Sequence, residues 1–140
     1  MTLKLAGKVA VVTASTEGIG FAIARRLAQD GAKVMLSSRK QQNVDKAVKE
    51  LRAENLNVDG IVCHVAKKED RKLLFQKTVS TFGGIDILVS NAAVSTYFGP
   101  TLQFNAPNYK SLELLCTILI LIHGGSLVLI SSIAGYVPFD

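Results

Sequence analysis

The sequence predicts a doubly wound α/β fold, a parallel sheet of about five strands covered by helices on both sides. Short runs rich in Val, Ile and Leu alternate along the chain with segments whose apolar residues recur at helical spacing. The runs are apolar at successive positions, as strands buried between two helical layers must be. Glycine-bearing turns separate run from segment, so each strand can feed a helix that crosses back, right-handed, to the next parallel strand.

The elements follow in order. Lys8 to Ala14 is a β-branched run ending in a polar turn, and from Gly18 the residues Ile19, Ala22, Ile23 and Leu27 mark a helix that stops at Gly31. Val34 to Ser37 forms the second strand, and Val44, Ala47, Val48 and Leu51 stripe the second helix. Gly60 to Val65 is the third strand. Leu74, Phe75, Thr78, Val79 and Phe82 define the third helix, which the glycine pair Gly83 and Gly84 ends, and Ile85 to Ser90 is the fourth strand. A loop containing Pro100 and Pro107 leads to a helix near Tyr109 to Ile122, then Gly124, Gly125 and a fifth strand, Ser126 to Ser131.

Bulk properties narrow the function classes. Lys and Arg number 16 against 11 Asp and Glu, but the excess is not clustered. Asp45, Lys46, Lys49, Glu50, Arg52 and Glu54, and again Lys67 to Lys72, mix their signs as on a solvated helix face, so no nucleic-acid partner is expected. Cys63 and Cys116 lie in apolar runs without metal-ligand spacing, which predicts buried, reduced thiols and no metal. Met1 to Lys8 has no secretory-type apolar core, and Leu112 to Ile122 falls short of the ~20 residues that span a bilayer. An intracellular, by default cytoplasmic, protein is expected. The apolar Leu112 to Ile122 helix suits burial between layers and predicts self-association or aggregation.

In open α/β sheets ligands bind at the carboxyl ends of the strands, where Ala14, Ser38, Val65, Asn91 and Ser132 fall. The segment Thr13, Ala14, Ser15, Thr16, Glu17, Gly18, Ile19, Gly20 joins the first strand to the first helix. Its backbone N–H groups and the helix dipole can meet a pyrophosphate, and the glycines allow close approach.

These residues resemble the TGxxxGIG turn of the short-chain dehydrogenase/reductase family. The likeness continues in the NAG-like Asn91, Ala92, Ala93 after strand four and in Ser131, Ser132, Ile133, Ala134, Gly135 after strand five. Gly18 to Gln29 and Ser37 to Asp45 are similar, more narrowly, to the dehydrogenase/reductase member 4 group of NADPH-dependent carbonyl and retinal reductases. The resemblance implies a single NADP-binding Rossmann-type domain over residues 1–140, the cofactor-binding part of an enzyme that reduces carbonyl compounds, without the catalytic and substrate-binding part and so expected to be inactive alone. Ala14 stands where most of the family has its first glycine; an ordinary, negative φ is expected there, since the narrower group also tolerates alanine.

NAD-selective sites of this architecture end the second strand in a carboxylate that holds the ribose 2′-OH. Here Ser37, Ser38, Arg39 and Lys40 fill the place, and hydroxyls beside a guanidinium suit the 2′-phosphate of NADP. His64 and Val65 fall where the family often has an Asp-Val pair whose acid touches the adenine; His64 fits that role or that of a surface histidine. The resemblance makes Ser132 the serine that orients the substrate carbonyl. It also calls for a Tyr and Lys in a YxxxK unit about thirteen residues further on, past Asp140. Tyr136 is no substitute, because Asp140 stands four residues on. The relay Asn of the family would be Asn105 or Asn108, and no motif chooses between them. Two readings result: an amino-terminal, truncated form of an NADPH-dependent carbonyl reductase, or an inactive nucleotide-binding protein that pairs with full-length relatives. Such relatives can carry a peroxisomal or mitochondrial address.

Overall fold

The computed structural model describes residues 3–91 and 124–130. Its strands are β1 (Val9–Val12), β2 (Lys33–Ser38), β3 (Val58–Val62), β4 (Ile87–Ser90) and β5 (Ser126–Leu129), and its helices are α1 (Gly18–Gln29), α2 (Gln41–Ala53) and α3 (Lys68–Phe82). The strands form one sheet in the order β3-β2-β1-β4-β5. Every pair is parallel, with Val11 opposite Met35 on one side and Leu88 on the other. The chain runs outward from β1 through β2 to β3, then returns to place β4 on β1's other side. The sequence order of β1 and β4 therefore splits at one point, and the crevice there opens at the carboxyl ends of both strands.

Two apolar layers sandwich the sheet. Ala10, Val12, Val34, Leu36 and Val58 meet α1 and α2 through Ala24, Ala28, Val44, Ala47, Val48 and Leu51. On the other face Val11, Met35, Cys63 and Leu88 meet Leu74, with Phe75 and Phe82 packed at the margin. The whole expected face of α2 is buried, because its apolar stripe is the only side able to cover β2 and β3.

The other two helices bear out the periodicity reading in part: Ile23 and Leu27 of α1, and Leu74, Phe75, Thr78 and Phe82 of α3, lie on the core side as expected, whereas Ile19, Ala22 and Val79 do not. α1 buries Gly20, Ala24 and Ala28, while Ile19 is 66% exposed and Ala22 also faces out. Small residues win that face because they let the helix approach the sheet closely. In α3 the buried residues are Arg71, Leu74 and Thr78, and Val79 lies 47% open. Thr78 is accommodated because its hydroxyl donates back to Leu74 O at 2.7 Å. Arg71, expected on a solvated face, is only 7% exposed. As expected, the glycine Gly83 ends α3 with φ 92° and its N–H donates to Val79 O at 2.8 Å.

β3 begins two residues before the expected Gly60 and ends at Val62, three before the expected Val65. The polar Asp59 hid its start, and the reason is structural. β3 is an edge strand, and its outward carbonyls at Val58 and Gly60 accept from Arg52 Nε (3.0 Å) and Lys77 Nζ (2.7 Å). Asp59 accepts from Arg52 Nη2 at 3.3 Å and from the Gly60 N–H at 2.9 Å, and forms an ion pair with Lys77 at 3.5 Å. Side chains thus cover an edge that would otherwise be free to pair with another strand. The helix near Tyr109 to Ile122, the Ser131 end of the fifth strand and Cys116 lie outside the described residues.

Candidate functional site

The carboxyl ends of β1, β2, β3 and β4 bring together most of the residues singled out in the sequence. After β1 the chain turns through Thr13 to Glu17 into α1, whose first turn begins at Gly18. Thr13 and Ser15 are fully buried and build the frame of this turn. The Thr13 N–H donates to Val89 O at 3.1 Å, and its hydroxyl accepts from the Asn91 N–H at 3.0 Å. Ser15 Oγ donates to Val12 O at 2.7 Å and accepts from the Ser37 N–H at 3.1 Å, while the Ser15 N–H donates to Ser37 O at 2.9 Å. Both hydroxyls therefore stitch β1 to its neighbours and face inward.

Asn91 completes the frame by donating from Nδ2 to Ala14 O at 3.0 Å. Gly20 lies under that contact, where an added Cβ would overlap both Ala14 O and Asn91 Nδ2. Only a residue without a side chain fits. Gly18 is needed for a different reason, a φ of 59° in otherwise open space.

Ala14 departs from expectation: its φ is 49°, in the left-handed region, not an ordinary negative angle. Asn91 holds its carbonyl and the Ser15 to Ser37 bonds fix the next residue, so the turn imposes the angle despite the Cβ. With the frame bonds satisfied, none of the N–H groups of Thr16, Glu17, Gly18, Ile19 and Gly20 has an acceptor among the described residues. The first bond of the helix is Phe21 N–H to Glu17 O at 3.3 Å. Five successive free donors at a helix start form an anion cradle, reinforced by the helix dipole. The first turn of α1 holds no acid; Glu17 at the N-cap is exposed and its side chain caps none of these N–H groups.

β2 ends at Ser38, which is half-buried, and Arg39 and Lys40 follow at the surface, their side chains with no hydrogen bond or ion pair among the described residues. α2 starts at the next residue, again without an acid in its first turn. Two free cations and a positive helix end therefore meet at one strand tip.

The turn after β3 joins the same edge. Cys63 is buried, and burial above all, with a smaller contribution from Asp70, pushes its thiol up to about 11 from 9.0. It is a core residue, as expected of an inert buried cysteine. His64 is half-buried, its Nδ1 accepting from the Ala66 N–H at 3.3 Å. Two residues that the sequence reading passed over anchor this turn: Asp70 Oδ2 accepts from the His64 N–H at 2.8 Å, and Arg71 Nη1 donates to Val65 O at 2.5 Å. Their only sequence signal is a charged pair in a helix's first turn, which reads as solvated until burial is known. Ala92, Ala93, Ser132, Asn105, Asn108 and Tyr136 lie outside the described residues. No group of His, Cys, Asp and Glu among the described residues could hold a metal, and none of their helices is long and apolar enough to cross a membrane.

Comparison with known proteins gives concordant results. Residues 8–140 match the short chain dehydrogenase family. Dehydrogenase/reductase SDR family member 4 of Bos taurus is 54% identical over 147 residues, covering 96% of this chain and 53% of that protein. A short chain dehydrogenase from Mycobacterium smegmatis superposes with a TM-score of 0.81 at 28% identity, over 96% of this chain and 62% of its own. An actinorhodin polyketide ketoreductase solved with NADPH gives a TM-score of 0.78 at 28% identity, over 93% and 55%. The chain thus spans about half the length of the curated relatives it matches, 53% in the bovine case.

Proposed function

The chain belongs to the short-chain dehydrogenase/reductase family, a family of oxidoreductases, and on that premise we propose that it binds NADP and belongs to an enzyme that reduces carbonyl compounds such as ketones and retinal. The observation that carries the reading is the run of five N–H groups from Thr16 to Gly20 without an acceptor among the described residues, beside a strand tip with two cations whose side chains have no partner among them and no acid in the helix turn that follows. The residues present fit the cofactor. Thr16 to Gly20 would hold the pyrophosphate by main-chain donors, with Gly20 giving the clearance for close approach. Ser38, Arg39 and Lys40 would hold the 2′-phosphate, where the planar guanidinium supplies paired charge-assisted donors. Val65 and His64 would flank the adenine.

When bound, the cofactor supplies the hydride. The chain's own contribution at the reacting end begins with Asn91, which ties the end of β4 to the phosphate turn and so fixes where the segment toward Ala92 and Ala93 departs. By the family resemblance, Ser132 would orient the substrate carbonyl. The similarity to member 4 reductases supports a carbonyl substrate, and the ketoreductase solved with NADPH supports NADP.

Titrating the full chain with NADPH and NADH by fluorescence tests cofactor choice. NADPH should bind at least about tenfold more tightly, the value of one charge-assisted contact, and Arg39→Asp should abolish the preference. Equal affinities in the wild-type chain, or an unaltered preference in Arg39→Asp, would overturn the NADP assignment.

A further inference from the structure

β3 lies at the end of the sheet, with β2 on one side and no strand on the other among the described residues. The ladder fixes which of its main-chain groups face outward. The Val34 N–H donates to Asn57 O and the Cys63 N–H to Ser38 O, so Asp59 and Ile61 bond to β2 while Val58, Gly60 and Val62 point away from the sheet. Side chains occupy three of these six outward groups. Arg52 Nε donates to Val58 O at 3.0 Å, Lys77 Nζ donates to Gly60 O at 2.7 Å, and the Gly60 N–H donates to Asp59 Oδ1 at 2.9 Å. The Val58 N–H and both main-chain groups of Val62 have no partner among the described residues. One carboxylate unites the three caps, since Asp59 also meets Arg52 at 3.3 Å and Lys77 at 3.5 Å. The two cations come from opposite layers, Arg52 from α2 and Lys77 from α3, and both reach across the edge. Beside them runs a groove of about 440 Å³, lined by Gln41, Asp45, Lys49, Arg52, Asp59 and Lys77.

We infer that this edge is a latched pairing surface with Asp59 as the latch, and that the partner it fits is β3 of a second copy of this chain, lying antiparallel to it. Pairing here uses none of the residues placed against the cofactor, so it stands apart from the nucleotide reading. The fit lies in the symmetry of the outward groups about Gly60. With two copies related by a two-fold axis at that residue, Gly60 exchanges N–H and C=O bonds with its counterpart, and Val58 does the same with Val62 of the second copy. Every outward donor then meets an outward acceptor. Asp59 prevents this in the native chain, because it takes up the central Gly60 N–H and keeps two cations over the Val58 and Gly60 carbonyls. Loss of the carboxylate frees the central donor and releases both cations from the edge.

The test is the oligomeric state of the full chain, followed by sedimentation velocity across a dilution series for the wild type, Asp59→Ala, Val62→Pro and the double variant, each checked for folding by circular dichroism. Asp59→Ala should self-associate at least about tenfold more tightly than the wild type, the effect of one net hydrogen bond. Asp59→Thr, whose side chain suits a strand and carries no charge, should do the same and serves if the alanine variant does not fold. Proline at position 62 removes an outward donor and no bond to β2, which an edge strand tolerates. The double variant should therefore return to wild-type association, whereas a contact elsewhere, such as the apolar Leu112 to Ile122 segment, would be indifferent to the proline. Hydrogen exchange gives a second reading and decides the matter if the proline variants do not fold: on association of Asp59→Ala, exchange of the Val62 N–H should slow at least about tenfold. A folded Asp59 variant that associates no more tightly than the wild type would overturn the inference. So would tighter association that Val62→Pro leaves in place, or that leaves the Val62 N–H exchanging as before.

Discussion

Replacing Ala14 by glycine should stabilise the protein. With φ at 49°, the Ala14 Cβ crowds the adjacent carbonyl, and an L-residue in this region carries roughly 1–2 kcal/mol of strain. Glycine removes that strain but adds freedom to the unfolded chain, which takes back about 0.4–1 kcal/mol. The Ala14 side chain is exposed, so losing the methyl group leaves no cavity. Its carbonyl still accepts from Asn91 Nδ2. The net gain is about 0.5–1 kcal/mol, which for a domain of this size raises Tm by roughly 2–4 °C. Thermal unfolding followed by circular dichroism measures it, with Ala14→Val as the opposing control: a β-branched side chain in the left-handed region should lower Tm. A glycine variant with unchanged or lower Tm, together with a valine variant no worse than wild type, would show that the turn does not impose this angle and that the frame argument from Asn91 and Ser15 is mistaken.

Two further expectations concern the same end of the sheet. Gly20→Ala places a Cβ against Ala14 O and Asn91 Nδ2, so the helix start must shift; a loss of roughly 1–3 kcal/mol, typical of overpacking, should appear in denaturant unfolding together with weakened nucleotide binding, and a neutral effect on both would contradict the packing described. Cys63 should resist iodoacetamide at pH 8 in the native chain and react on unfolding, because burial keeps its thiol protonated up to about pH 11. The same shift has a stability consequence. The folded-state pKa is raised, so the contribution is complete below the ordinary thiol value of 9.0 and is lost as pH rises toward about 11. Replacing Cys63 by alanine should remove that part of the alkaline decline; an identical decline in the variant would assign it elsewhere.

The sequence by itself determined the architecture and the location of the cradle. Parallel pairing follows from runs such as Val9 to Val12 and Leu88 to Ser90 that are buried on both faces, and the apolar stripe of α2 was legible because its four positions face one sheet. Gly18 and Gly20 marked the turn from β1 into α1 because turn chemistry is local. Tertiary structure decided what depends on neighbours distant in sequence. Which residues of α1 lie deepest was set by how closely the helix lies to the sheet, so Gly20, Ala24 and Ala28 hold the centre of the contact while Ile23 and Leu27 pack at its margin and Ile19 and Ala22 face out. The left-handed angle at Ala14 is imposed by Asn91, 77 residues away, and by Ser37, and no local propensity of alanine announces it. Arg71 reads as one more charge in a mixed, solvated run. Only when α3 settles against the end of β3 does its guanidinium come to lie beneath Val65 O, since a side chain's burial is a property of the surface it meets and not of the segment that carries it.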